Sequence, residues 1–167
     1  MEEKNIIYFA YGSNLNLRQM KLRCPNSKVI GKGIIENYRL AFKGSKRNFS
    51  FLTIEQCEGS VVPIGIFQIS SEDERRLDIY EGYPRLYSKE TINAIMIQND
   101  EEKIKIDGII YIMNPYYNYN KPSPSYYFTC EEGYKDFDFD NKYLESAYSQ
   151  CEIQILKKYL PKKDSTT

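Results

Sequence analysis

The stretch Ile6-Ile-Tyr-Phe-Ala-Tyr-Gly-Ser-Asn-Leu-Asn16 constrains the fold of this chain more than any other. Its apolar run from Ile6 to Ala10 predicts a short buried strand, which Gly12 then breaks. Asn14 or Asn16 is placed to cap a helix carrying Leu17, Met20 and Leu22. Strand, glycine turn and helix start together gather several backbone N–H groups at one corner, with no side chain at Gly12 to block them. Such a corner receives an anion or a polarised carbonyl oxygen. The same letters also describe an ordinary first strand ending in a polar turn, so a second element has to decide.

Composition narrows the chemistry. A chain of 167 residues is long enough for one domain with a real core. Its 23 basic side chains equal its 23 acidic ones, so no net field gathers nucleic acid or anionic lipid. The Met-Glu-Glu-Lys start lacks the basic region of a signal peptide, and no apolar run is long enough to cross a bilayer. These features predict a soluble cytoplasmic protein. Cys24, Cys57, Cys130 and Cys151 are scattered without a Cys-x-x-Cys pair, which predicts buried free thiols rather than zinc ligands or disulfides. The chain has no histidine, so Ser-His-Asp and Cys-His catalysis are excluded, as are zinc-hydrolase motifs. Chemistry here must rest on a carboxylate, a lysine, a tyrosine or the backbone.

In chain order, strand-like runs cover Lys28–Ile35 and Tyr38–Phe42, joined by Glu36-Asn37. After a polar loop, Gly44–Asn48, come Phe49–Ile54 and, past Glu55–Ser60, Val61–Ile69, where Pro63 hints at an edge or bulge. Ser71 to Glu81 is helical, with Ser71 and Glu74 in capping-box spacing and acidic residues at the positive end of its dipole. Leu86–Ile97 and Lys103–Met113 resemble a hairpin around Asn99–Glu102. Pro115 to Pro124 reads as a Tyr/Pro/Asn loop, Ser123-Pro124 as the cap and first position of a further helix. Asp138 or Asp140 is placed to cap a last helix through Leu144 and Ala147. The expectation is one α+β domain over residues 1–160, with about six strands that can curl into a barrel, a few short helices, and a flexible tail over 161–167.

The second element is Glu81, in Leu77-Asp-Ile-Tyr-Glu-Gly82. Leu77 and Glu81 are four apart and share one helix face, so a core-facing Leu77 carries Glu81 inward. Gly82 is placed to end the helix, which puts the carboxylate at the negative end of the dipole. Burial and dipole both penalise the charged form, and a glutamate with a raised pKa is a candidate general acid/base near neutral pH. A solvated glutamate on an exposed last turn is the plainer alternative.

Tyr8-Phe-Ala-Tyr-Gly-Ser-Asn-Leu15, together with Leu77-Asp-x-x-Glu81-Gly and the following Tyr87, resembles the two signatures of the gamma-glutamylcyclotransferase family. A third stretch, Pro122-Ser-Pro-Ser-Tyr126 with Gly133 and the Tyr143–Tyr148 helix, is similar to the C-terminal part of its longer members. The resemblance implies a small mixed, barrel-like sheet with flanking helices and a cavity at one end. It implies release of 5-oxoproline from a small gamma-glutamyl compound, with no cofactor and no metal. By the same resemblance Glu81 is the catalytic residue, and Tyr8, Phe9, Ala10, Tyr11, Gly12, Ser13, Asn14 and Tyr126 hold substrate. Tyr87 and Tyr111 match aromatic positions near the cavity. The compact Gly82–Leu86 segment departs from the longer animal-type enzymes, so leaving-group preference does not transfer. Some relatives pair, which leaves a homodimer open, although no interface patch is marked.

The chemistry so implied suits a chain without histidine, because the nucleophile is the substrate's own α-amine. Two other readings remain. The cavity of a non-catalytic module would bind an acidic metabolite or a peptide end, and an acyltransferase or hydrolase would use Ser13 or Cys57. Of the tyrosines Tyr116, Tyr117, Tyr119, Tyr126 and Tyr127, most are expected to pack a loop or lid rather than line a site.

Overall fold

Two long hairpins and one short strand make the sheet of this computed structural model, which describes residues 4–46, 49–99 and 102–162. The first hairpin pairs β2 (Lys28–Lys46) with β3 (Phe49–Ile69), and the second pairs β4 (Tyr87–Gln98) with β5 (Glu102–Met113). The short strand β1 (Ile6–Ala10) runs antiparallel to β3, from Ile6 opposite Ile69 to Ala10 opposite Gly65. On its other side it meets β5 in parallel, with Tyr8 opposite Ile109. Because β4 also pairs with β2, from Lys32 opposite Ile97 to Ile34 opposite Ile95, the pairings close into a ring. A two-residue β6 (Asn118–Tyr119) adds to β2 outside that circuit.

Several sequence breaks turn out to be bends within continuous strands. Glu36-Asn37 does not separate two strands: Asn37 takes φ 62°, the register with β3 shifts between Glu36 and Tyr38, and β2 continues. Opposite it, Glu55–Ser60 stays in β3, with Gly59 at φ 82° and its N–H donating to Asn37 Oδ1 at 3.0 Å. A bulge opposite a positive-φ glycine lets both strands curve together, which closing a ring requires. Pro63 sits past the end of β1, opposite Ile34, where β3 is paired on one side only, the edge position that a residue without an N–H favours. The expected loop Gly44–Asn48 is strand as far as Lys46, and its last two positions lie outside the described residues. So do residues 100–101 of the expected turn and 163–167 of the expected tail.

Helix α1 (Leu17–Arg23) is capped by Asn16, whose side chain accepts from Gln19 N–H at 3.2 Å; Met20 is buried, while Leu17 and Leu22 are exposed. Helix α2 (Ser71–Tyr80) has its capping box one residue earlier than the sequence reading placed it, between Ser70 and Asp73. Asp73 is fully buried there, which fixes its carboxylate on the Ser70 N–H, whereas Glu74 pairs with Lys89. Helix α3 (Pro124–Asp136) starts as expected, with Ser123 as cap and proline at the first turn. Helix α4 (Lys142–Lys157) has Asn141 at its cap position without a side-chain capping bond, and Asp140 accepts the Lys142 N–H at 2.9 Å instead.

The core fills the space between ring and helices. Phe9, Phe42, Phe67, Ile64, Ile66 and Tyr134 are almost wholly buried, each worth about 1.5–3 kcal/mol of transfer free energy. Cys24, Cys130 and Cys151 are buried free thiols, and Cys57 is half-buried. Among the described residues no helix is long and apolar enough to cross a membrane.

Candidate active site

A 3-10 turn over Ser13–Leu15 follows β1 after Tyr11 and Gly12, and its first bond runs from Leu15 N–H to the Gly12 carbonyl at 3.0 Å. The N–H groups of Ser13 and Asn14 therefore have no partner within the turn. A Cβ at Gly12 would stand 3.3 Å from Leu52 Cβ and 3.5 Å from Tyr126 Oη, so its absence keeps the corner open toward β3 and α3. The corner is backed by α3, which approaches so closely that a Cβ at Gly133 would come within 2.5 Å of Asn16 N.

Glu81 arrives from the other side. It is the C-cap of α2, its N–H still donates to the Leu77 carbonyl at 2.8 Å, and Leu77 is fully buried. Gly82 then takes φ 61°, with Gly82 N–H donating to Ile79 O at 3.2 Å and Tyr83 N–H to Asp78 O at 2.9 Å. This pair of bonds is the Schellman ending, which favours a left-handed glycine at that position. Asn14 Nδ2 donates to Glu81 Oε1 at 3.2 Å and to Tyr8 Oη at 2.9 Å, joining two segments 67 residues apart.

Both corners open into one cavity of about 160 Å³. Tyr8, Tyr11, Gly12, Ser13 and Asn14 form one wall; Phe51 and Leu52 of β3, Tyr111 of β5 and Tyr126 of α3 form others. Tyr80, Glu81, Leu86 and Tyr87 complete it. Phe9 and Ala10 lie in the core and not on the wall. Alternation along β1 turns Phe9 to the opposite face, toward Gly108, and the side chain of Ala10 ends at Cβ. Tyr87 and Tyr111 both line the cavity, whereas of the later tyrosines only Tyr126 does. Tyr127 packs against Phe42 and Tyr148, and Tyr119 Oη donates to Glu55.

Among the lining side chains Glu81 is the sole carboxyl. Burial pushes its pKa from 4.5 up to about 7, while the Arg23 guanidinium and the Asn14 bond act in the opposite direction. Tyr8, Tyr11 and Tyr87 are buried and Tyr126 half-buried, and loss of solvent raises each phenol far enough to keep it protonated. Two of them clasp the Leu52 peptide: Tyr87 Oη donates to its carbonyl at 2.7 Å, and its N–H donates to Tyr126 Oη at 3.0 Å. Cys57 lies on the β3 bend away from the cavity, beside Ser60. Among the described residues no cluster of three or more Cys, Asp or Glu is arranged to hold a metal ion.

Phe51, Leu52, Tyr80, Leu86 and Arg23 were not singled out from sequence. The alternation of Phe49–Ile54 fixes which of its residues share a face but not what that face borders. Arg23 ends α1, where a basic residue reads as an ordinary complement to the helix dipole. Helix side chains tilt toward the N-terminus, so Arg23 reaches back to Ser13 Oγ at 3.1 Å and to Asn14 Oδ1.

Fold and site together define a small α+β protein with a half-buried, titratable carboxyl facing a strand–glycine–helix corner. The chain belongs to the gamma-glutamyl cyclotransferase, AIG2-like family, whose sequence model matches residues 8–132. No curated protein sequence matches it. Among solved structures, one described as a gamma-glutamyl cyclotransferase superposes with a TM-score of 0.71 at 23% identity, covering 98% of this chain and 92% of the other. A Homo sapiens protein described as uncharacterized gives 0.68 at 23% identity over 99% and 93%. A yeast gamma-glutamyl cyclotransferase described as specific to glutathione gives 0.60 at 11% identity over 92% and 97%. At these identities the likeness is one of fold.

Proposed function

We propose that the protein releases 5-oxoproline from a small gamma-glutamyl compound, with Glu81 as general acid/base. The observation that carries this reading is the Asn14–Glu81 hydrogen bond, which sets the half-buried carboxyl beside the Gly12 corner in one cavity. The substrate's α-ammonium gives a proton to Glu81. Its nitrogen then attacks the γ-carbonyl carbon, the C–N bond closes a five-membered ring, and the carbonyl electrons move to oxygen. The N–H groups of Ser13 and Asn14 face that oxygen, the role of an oxyanion hole. As Glu81 passes its proton to the departing nitrogen the original amide bond breaks, and Glu81 then takes the second proton from the ring nitrogen and delivers it to the freed amine, which leaves as an ammonium beside 5-oxoproline. Neither water nor an oxidant is consumed.

The raised pKa makes the first transfer feasible. The substrate's α-ammonium stands beside its own α-carboxylate and is a weaker acid than the roughly 7.7–8.0 of a peptide N-terminus, so raising Glu81 from 4.5 to about 7 narrows the gap by about 2.5 units. Holding nitrogen and carbonyl in contact is worth up to about 7–11 kcal/mol. A cavity of about 160 Å³ is smaller than the roughly 300–1,000 Å³ that encloses a drug-sized ligand, so it suits a glutamyl-sized part with the leaving group toward solvent.

Incubation with gamma-glutamyl amino acids, amines and peptides, followed by 5-oxoproline detection, tests the reading. Turnover of at least one compound is expected, with Glu81→Gln slowed about 10²–10⁴-fold and KM little changed. A panel left intact, or a covalent adduct on Ser13 in the intact-protein mass, would overturn it.

A further inference from the structure

We propose that Arg23 is a positioning residue, which fixes the Asn14 amide so that its NH2 end holds the Glu81 carboxyl. This rests on Glu81 as the acid–base group of the proposed reaction.

A primary amide has a donor end and an acceptor end of nearly the same shape, so only its partners decide which way it points. Glu81 Oε1 accepts a proton but Tyr8 Oη can donate or accept, so these two alone do not lock the amide. A guanidinium donates only. Arg23 Nη1 points at Asn14 Oδ1 and at Ser13 Oγ (3.1 Å), so turning the amide over would set its NH2 against a second donor. The acceptor end must face Arg23, and the NH2 end is left for Tyr8 Oη and Glu81 Oε1.

Arg23 is itself held in place. Nη2 donates to Gln19 Oε1 at 3.3 Å, one helical turn back, and the guanidinium carbon lies 3.7 Å from the centroid of the Tyr80 ring. Tyr80 adjoins Glu81, so the cation is anchored to both corners. Arg23 does not line the cavity and acts through Asn14.

The other titratable groups around the carboxyl are Tyr8 from β1, Tyr11 just after it, Cys24 beyond α1, Tyr87 from β4, Tyr111 from β5, Tyr126 from α3 and Tyr80 beside it. Burial raises Tyr8, Tyr11, Cys24, Tyr87, Tyr111 and Tyr126, which stay uncharged at neutral pH. Arg23 is the charge that holds Glu81 down against burial.

The test compares wild type, Arg23→Met and Arg23→Lys by NMR, following the Glu81 side-chain carboxyl carbon and the Asn14 side-chain NH2 signals against pH. In the wild type both move together with a midpoint near 7. In Arg23→Met the Glu81 midpoint rises by roughly one unit and the Asn14 signals cease to follow it. Arg23→Lys restores the charge, and with it most of the wild-type midpoint. On a turned-over substrate, Arg23→Met lowers kcat about tenfold or more with KM little changed, and its acid limb moves upward with Glu81. A folded Arg23→Met protein with both NMR titrations unchanged would overturn the assignment, as would a rise in KM alone. If the methionine variant does not fold, the lysine variant decides: a Glu81 midpoint raised despite the retained charge also overturns it. Wild-type NMR behaviour as described, without 5-oxoproline from any substrate, would refute the cyclotransferase reading and leave the positioning role standing.

Discussion

Replacing Glu81 by glutamine is expected to stabilise the protein in neutral solution while it slows the proposed reaction about 10²–10⁴-fold. Burial raises the carboxyl from 4.5 to about 7, so between those values the folded protein keeps a proton that the unfolded chain has released. Wild-type stability therefore falls as pH rises from about 4.5 to about 7 and stays reduced above it. At about 1.4 kcal/mol per pH unit, the full penalty is about 3 kcal/mol. Glutamine does not titrate, nearly matches the shape, and retains an Oε1 acceptor for Asn14. Urea unfolding of both proteins at about pH 4, 6 and 8 isolates the effect, because every other carboxyl titrates alike in the two and drops out of the difference. The variant's advantage is expected to be near zero at the acid end and about 3 kcal/mol at the alkaline end, or roughly 6–12 °C in Tm for a chain of this size. A flat difference curve, or a wild type that gains on the variant as pH rises, would show the carboxyl to be solvated. The proposed proton transfer would fall with it.

The kcat/KM profile is expected to lose activity below about pH 7, where Glu81 is protonated, and an acid limb near the ordinary 4.5 would exclude this group. Gly133→Ala would push a methyl to 2.5 Å from Asn16 N, so α3 must retreat from the corner; urea unfolding should show a loss of about 1–3 kcal/mol or more, with activity reduced. Tyr126→Phe removes the acceptor of the Leu52 N–H and is expected to cost about 1–3 kcal/mol in the same measurement; no change would mean that water replaces the phenol.

Much of this arrangement was legible because local signals and tertiary structure agree. Gly12, Asn16, Ser123-Pro124 and Gly82 each perform the backbone task their type favours, so strand end, caps and helix stop fall where the letters place them. The inward turn of Glu81 followed from Leu77 one turn earlier. Less legible were features set by partners distant in sequence. Asn37 and Gly59 look like breaks locally and act as a matched bend only because β2 and β3 pair across them. Ser70 takes the cap from Ser71 because burial of Asp73 selects the register, a tertiary effect. Asn118–Tyr119 becomes strand only where β2 offers an edge. Arg23 was invisible for the same reason, since its role depends on Asn14 and Tyr80 meeting in space.

The position of β1 has a consequence for synthesis. It leaves the ribosome first, yet one of its flanking strands is β5, which ends at Met113. Until that segment has emerged, the residues after Ala10 have only half their support, and the most sequence-distant contacts close last. Nascent or truncated chains lacking β5 are thus expected to leave the cavity without its Tyr111 wall and β1 without its second flank.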